Sequence, residues 1–180
     1  QQGSLSKTEN SLNYIQEGWG GFSYEVNVTW RQDGKDLLGV WSISSHHPDK
    51  ESKPKAKEVA ANELKKGFEA SLLEHQEWWQ NYWAQSSIQL PDSLLERQWY
   101  LEMYKFGSVS RNTSPPISLQ TVWTADNGRI PPWKGDLHHD LNTQMSYWPA
   151  YSSNHLNHAE SFVNWMWDHR ETFKSYTQTY

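Results

Sequence analysis

Asp140 and Asn142 sit two residues apart in Asp140-Leu-Asn-Thr-Gln-Met-Ser-Tyr-Trp-Pro-Ala150. They join a carboxylate that can take a proton to an amide that can orient a water. Upstream, Leu119-Gln-Thr-Val-Trp-Thr-Ala-Asp-Asn-Gly-Arg-Ile-Pro-Pro-Trp133 and Lys134-Gly-Asp-Leu-His-His139 set Trp123 and Trp133 beside Asp126, Asp136, His138 and His139, with Tyr147 and Trp148 following. Flat aromatic faces next to acids and amides suit a sugar ring, whose C–H faces stack on indole and whose hydroxyls need directional partners. The same aromatics could instead plug a core.

The other titratable groups make weaker sites. His46 and His47 are adjacent and so point apart, and they read as part of a polar linker over Ser45–Pro54. His155 and His158 have a metal-compatible helical spacing but no third ligand, so no metal is expected. Glu160 follows too soon, on the outside of a helix, to act as an acid opposite Asp140.

Elements that would carry these residues follow from periodicity. Phe22–Trp30 alternates apolar and polar, placing Phe22, Tyr24, Val26, Val28 and Trp30 on one face of a strand. Gln32-Asp-Gly-Lys35 is a turn, and Leu37–Ser44 a second strand. Two strands alone are marginal, so they read as the end of a sheet whose other strands are absent. From Lys55 to about Trp83, Ala60, Leu64, Phe68, Leu72, His75, Trp79 and Trp83 recur at helical spacing and predict one long connecting helix. Ser93-Leu-Leu-Glu96 has the form of a capping box opening a helix to about Ser110, with Leu95, Trp99, Met103 or Leu101, Phe106 and Val109 inward. A short helix from Asp140 to Tyr147, with Leu141, Met145 and Trp148 inward, is expected to stop at Pro149. A last helix, capped by Asn154 and marked by Leu156, Ala159, Phe162 or Val163, and Met166, is expected to reach about Phe173.

Composition narrows the class. The net charge of -5, with acids and bases interspersed, gives no basic stripe for nucleic acid. No apolar run is long enough for a membrane span. Twelve Trp in 180 residues is a habit of carbohydrate-active proteins. No cysteine is present, so no disulfide or thiolate metal site is expected. Asn27-Val-Thr29 and Asn112-Thr-Ser114 match the glycosylation pattern. The order of strands, linker and helices is α+β, and reads as an excerpt across the junction of a β-domain and a helical domain.

From about Ala61 to Trp167 the chain resembles glycoside hydrolase family 95, the inverting α-L-fucosidases and α-L-galactosidases. The carriers are Leu119-Gln-Thr-Val-Trp-Thr124, Pro131-Pro-Trp133 and Asp140–Ala150, in the family's order and spacing. The resemblance implies the end of a β-sandwich over residues 1–50 and a linker and connecting helix over 51–90. Residues 91–180 would begin an (α/α)6-barrel catalytic domain. It also implies hydrolysis of an α-linked L-fucose-like or L-galactose-like residue from an oligosaccharide or polysaccharide, with inversion and without a cofactor. The family's Asn-Xaa-Asn motif, aided by an Asp, activates the water. Asn142 matches its second Asn, whereas Asp140 stands where the family has the first, so Asp140 is the expected base or its assistant. Trp123, Trp133, His138, His139 and Trp148 are the expected substrate contacts. The family's general acid, a Glu, falls beyond residue 180, so these residues are expected to need the remainder of a parent chain for activity. A periplasmic or extracellular location is also implied. A non-catalytic sugar-binding relative and a structural Trp-rich module are the alternatives.

Overall fold

The computed structural model describes residues 3–48, 55–121, 133 and 135–179, which form two compact units, Gln1–Trp78 and Trp79–Tyr180. The first unit holds an antiparallel sheet in the order β1 (Ser4–Thr8), β2 (Ser11–Glu17), β3 (Ser23–Asp33) and β4 (Asp36–His46). The two expected strands are β3 and β4, joined through Gly34 at φ 64°. Their missing partners, β1 and β2, lie within the chain itself. These strands are rich in Ser, Asn and Gln, so their alternation is faint in the sequence.

The covered face of this sheet is not the apolar one. Helix α1 (Ala56–Lys66) packs on β3 and β4 through fully buried Ala56 and Ala60, whose small side chains allow close approach. Ser42 Oγ donates to the Ala56 carbonyl at 2.5 Å, and the Ala56 N–H donates to Ser44 Oγ at 2.9 Å. In register with Ser42 is Asn27, 0% exposed, whose amide donates to Asn13 Oδ1 at 2.9 Å and Ser11 Oγ at 3.2 Å. Burial with its amide nitrogen so engaged leaves no room for a glycan on Asn27. The opposite face carries Val26, Val28, Trp41 and Ile43, with Trp41 72% and Ile43 63% exposed. Hydrogen bonding holds α1 on the polar face, and the apolar residues that alternate along β3 share the opposite face, as their spacing predicts.

The expected single connecting helix is two. Gly67, at φ 90° and ψ 160°, separates α1 from α2 (Phe68–Trp83). Phe68, placed on the inner stripe by periodicity, is exposed because the break resets the helical phase.

In the second unit, α3 (Ser93–Val109) is capped one residue earlier than expected. Asp92 Oδ1 accepts the N–H groups of Leu94 and Leu95, and Glu96 accepts the N–H of Leu90. Met103, Phe106 and Gly107 are buried, while Leu95 is exposed. Helix α4 (Leu141–Ser152) passes through Pro149 without stopping. The proline removes one donor, but Tyr147 and Ala150 anchor either side of it, and the Pro149 carbonyl still accepts the Ser153 N–H at 2.9 Å. The inward residues of α4 are Thr143, Tyr147 and Ala150. Leu141, Met145 and Trp148 face outward.

The last expected helix also divides, at His169, into α5 (Leu156–Asp168) and α6 (Arg170–Thr179). His155, not Asn154, is its N-cap. Asn154 takes a left-handed φ of 59°, which its short polar side chain tolerates. The buried side of α5 is His158, Ala159 and Ser161, and Leu156 and Met166 are exposed. The pattern repeats that of the sheet: polar side chains with hydrogen-bond partners line the interior, and the apolar stripe is left open.

Candidate active site

Asp140 is the N-cap of α4. Its Oδ1 accepts the Asn142 N–H at a long 3.4 Å, and its carbonyl accepts the Gln144 N–H at 3.2 Å. The α4 N-terminus therefore brings Asp140 and Asn142 together, and both are exposed. Asn142 fixes its own turn, since its carbonyl accepts the Ser146 hydroxyl at 3.0 Å. The stretch before the cap is tied down by α4 as well. Thr143 directs both its backbone N–H, at 3.2 Å, and its hydroxyl at the His138 carbonyl.

The aromatic residues divide. Trp133 meets His138 edge to face, ring centroids 5.5 Å apart, and is itself exposed. A turn through Gly135, at φ 75°, returns the Asp136 N–H to the Trp133 carbonyl at 3.0 Å. His139 stacks on Trp165 and lies near Phe162 and Phe173. Trp148 is exposed on the outward side of α4. Trp123 and Asp126 lie outside the described residues, as do Pro131 and Pro132.

Behind α4 is a buried polar layer that the sequence reading missed. The Tyr147 hydroxyl accepts the Ile117 N–H at 2.8 Å and lies 3.0 Å from Ser161 Oγ. Ser161 is 3.3 Å from Ser110 Oγ, which donates to the His158 carbonyl at 2.5 Å. Tyr82, buried against Gly107, donates to the Met103 carbonyl at 2.7 Å and meets the His155 ring at 4.0 Å. Burial pushes the Tyr82 hydroxyl well above the usual tyrosine range. Burial, then the charges of Arg111 and His155, push His158 down to about 4, so it is neutral at pH 7. The sequence does carry a signal for the separate aromatic stack behind His139, where Trp165, His169 and Phe173 recur every four residues. Nothing in the spacing of Ser110, Tyr147 and Ser161 announces that they meet.

Among the described residues no three metal-ligating side chains converge, and no helix is long and apolar enough to cross a membrane. The sequence profile of the glycosyl hydrolase family 95 catalytic domain matches residues 59–180. The chain belongs to glycoside hydrolase family 95. Its helical unit is catalytic-domain sequence of a glycoside hydrolase, and a glycan is the class of molecule that such a domain acts on. No curated protein sequence matches the chain. Within the family 95 segment, Asp140 and Asn142 stand exposed at the α4 N-terminus, directly after the stretch that carries Trp133, His138 and His139.

Proposed function

We propose that this chain forms part of an inverting glycoside hydrolase that removes an α-linked L-fucose-like or L-galactose-like residue from an oligosaccharide or polysaccharide. The observation that carries the reading is the juxtaposition of Asp140 and Asn142 at the exposed start of α4, inside the family 95 match. In this reading Asp140 takes the proton of the attacking water and Asn142 orients that water. Trp133 and His138 form one wall for the sugar, with Trp123, His139 and Trp148 as further contacts. The general acid is a Glu supplied from outside residues 1–180, across a gap of about 6.5–9.5 Å that admits the water. The helices from residue 91 onward begin an (α/α)6 barrel, and the outward Leu141 and Met145 supply a face for its next helices. Residues 1–50 belong to a β-sandwich, with residues 51–90 as the connection, and the open apolar face of the sheet suits a second sheet. No cofactor takes part. The protein works in the periplasm or outside the cell, where its glycans are.

The test is incubation of the full-length protein with α-L-fucosides and α-L-galactosides, following the released sugar by NMR. Release of the β-anomer first supports the reading. Binding without release identifies a sugar-binding relative instead, and first appearance of the α-anomer rejects inversion. Full turnover by Asp140→Asn removes Asp140 from the role of base.

A further inference from the structure

We infer that Thr143 and Tyr147 are positioning residues. Two hydroxyls one turn apart on the buried side of α4 hold the backbone segments 117–121 and 136–140, and so set where Trp133, His138 and Asp140 stand. The inference rests on the hydrolase reading only for its kinetic consequence.

The hydrogen bonds around the two hydroxyls support the assignment. Ser110 commits its proton to the His158 carbonyl at 2.5 Å. Ser161 can donate to the Ser110 oxygen at 3.3 Å, the His158 carbonyl at 3.5 Å or the Tyr147 oxygen at 3.0 Å. Whichever of the two hydroxyls donates, the Tyr147 oxygen accepts the N–H of buried Ile117 at 2.8 Å. That N–H lies in a place where losing its acceptor is expensive. Thr143 does the same for the other segment, since its N–H and hydroxyl together occupy both lone pairs of the His138 carbonyl. A third bond joins the segments to each other: the Leu119 N–H donates to the Asp136 carbonyl at 2.9 Å. The helix that presents Asp140 and Asn142 at its end thus also fixes, from its inner side, the backbone that carries Trp133 and His138. Misplacing a reacting group by about 1 Å can cost a hundredfold in rate, so such a clamp bears directly on turnover.

The test uses Tyr147→Phe, Thr143→Val and Thr143→Ser in the full-length protein, with amide hydrogen exchange and steady-state kinetics. Tyr147→Phe is expected to speed exchange across 117–121, and Thr143→Val across 136–140, while α5 keeps its protection. With a working substrate, Thr143→Val should lower kcat roughly ten- to a hundredfold and raise KM as Trp133 and His138 shift, and Thr143→Ser should restore both. A merely structural role would lower the folded fraction and leave kcat per folded molecule unchanged, and that result overturns the inference. Unchanged exchange in both segments also overturns it, whether or not the protein hydrolyses anything. Absence of hydrolysis by the unsubstituted protein counts against the hydrolase reading alone, and the exchange data still decide the clamp.

Discussion

His139 lies face to face with Trp165, ring centroids 4.7 Å apart and planes 23° from parallel. The stack occupies the face of the imidazole, while any bond to a sugar hydroxyl would run through its edge. Packing and substrate contact can therefore be separated. His139→Phe is expected to keep the stack and the urea midpoint, while KM rises. His139→Ala is expected to cost about 0.5–1.5 kcal/mol in addition, the usual worth of such a pair. Equal KM values for wild type and His139→Phe would remove His139 from the substrate contacts.

Asp140 has a second task as the cap of α4. Asn is as good a cap as Asp, whereas Ala removes the acceptor of the Asn142 N–H. Asp140→Ala is expected to lower stability by about 1 kcal/mol, and Asp140→Asn by much less. Turnover should fall in both. Thermal melts run beside the kinetics make the comparison, and equal melting losses in the two variants would show that the cap contributes nothing.

At Gly107 an added Cβ would lie 2.7 Å from Tyr82 Cζ, and Tyr82 is fully buried with its hydroxyl committed to Met103. Neither the ring nor helix α3 has room to give. Gly107→Ala should destabilise the second unit by roughly 1–3 kcal/mol, despite the better helix propensity of alanine. Denaturant titration measures it, and a stabilised variant would contradict the packing described.

Protonation of His158 is opposed in the folded state, where burial and neighbouring positive charge hold it at about 4 against an ordinary 6.5. Above pH 6.5 the residue is neutral in both states and stability is whole. As pH falls from 6.5 towards 4 the unfolded chain takes the proton first, so stability drops, by up to about 3 kcal/mol. Below about 4 this contribution falls no further. Melting temperature followed from pH 7.5 to 4.5 should show the loss, and His158→Phe should flatten it. Parallel curves would assign the acid sensitivity to other groups.

Much of this was legible in the sequence, and the failures share a cause. The turn at Gly34, the strands around it, the span of α3 and the start of α4 follow from local chemistry that a short window contains. The motif around Asp140–Ala150 led to the family because its order of residues is specific. The inward face was met on α3 by Met103 and Phe106 and missed on α4, where Thr143 and Tyr147 are buried in place of Leu141, Met145 and Trp148. The buried Asn27, His158 and Ser161 of β3 and α5 were not foreseen, and the contacts of such residues reach up to 51 residues along the chain. Periodicity describes one element at a time, and these contacts join several. Helix ends failed for a related reason: Gly67 breaks a helix that its flanking stripe continues, and Pro149 sits within one whose buried neighbours hold it together.

The sheet face that bears Trp41 and Ile43 has a practical meaning for anyone handling these residues on their own. Wet indole and sec-butyl groups on a twisted ribbon, next to the rim of β4 that pairs with no strand among the described residues, attract their like from other molecules. Residues 1–78 produced in isolation should therefore bind a hydrophobic dye and sediment as aggregates, and charged substitutions at Trp41 and Ile43 should return them to solution.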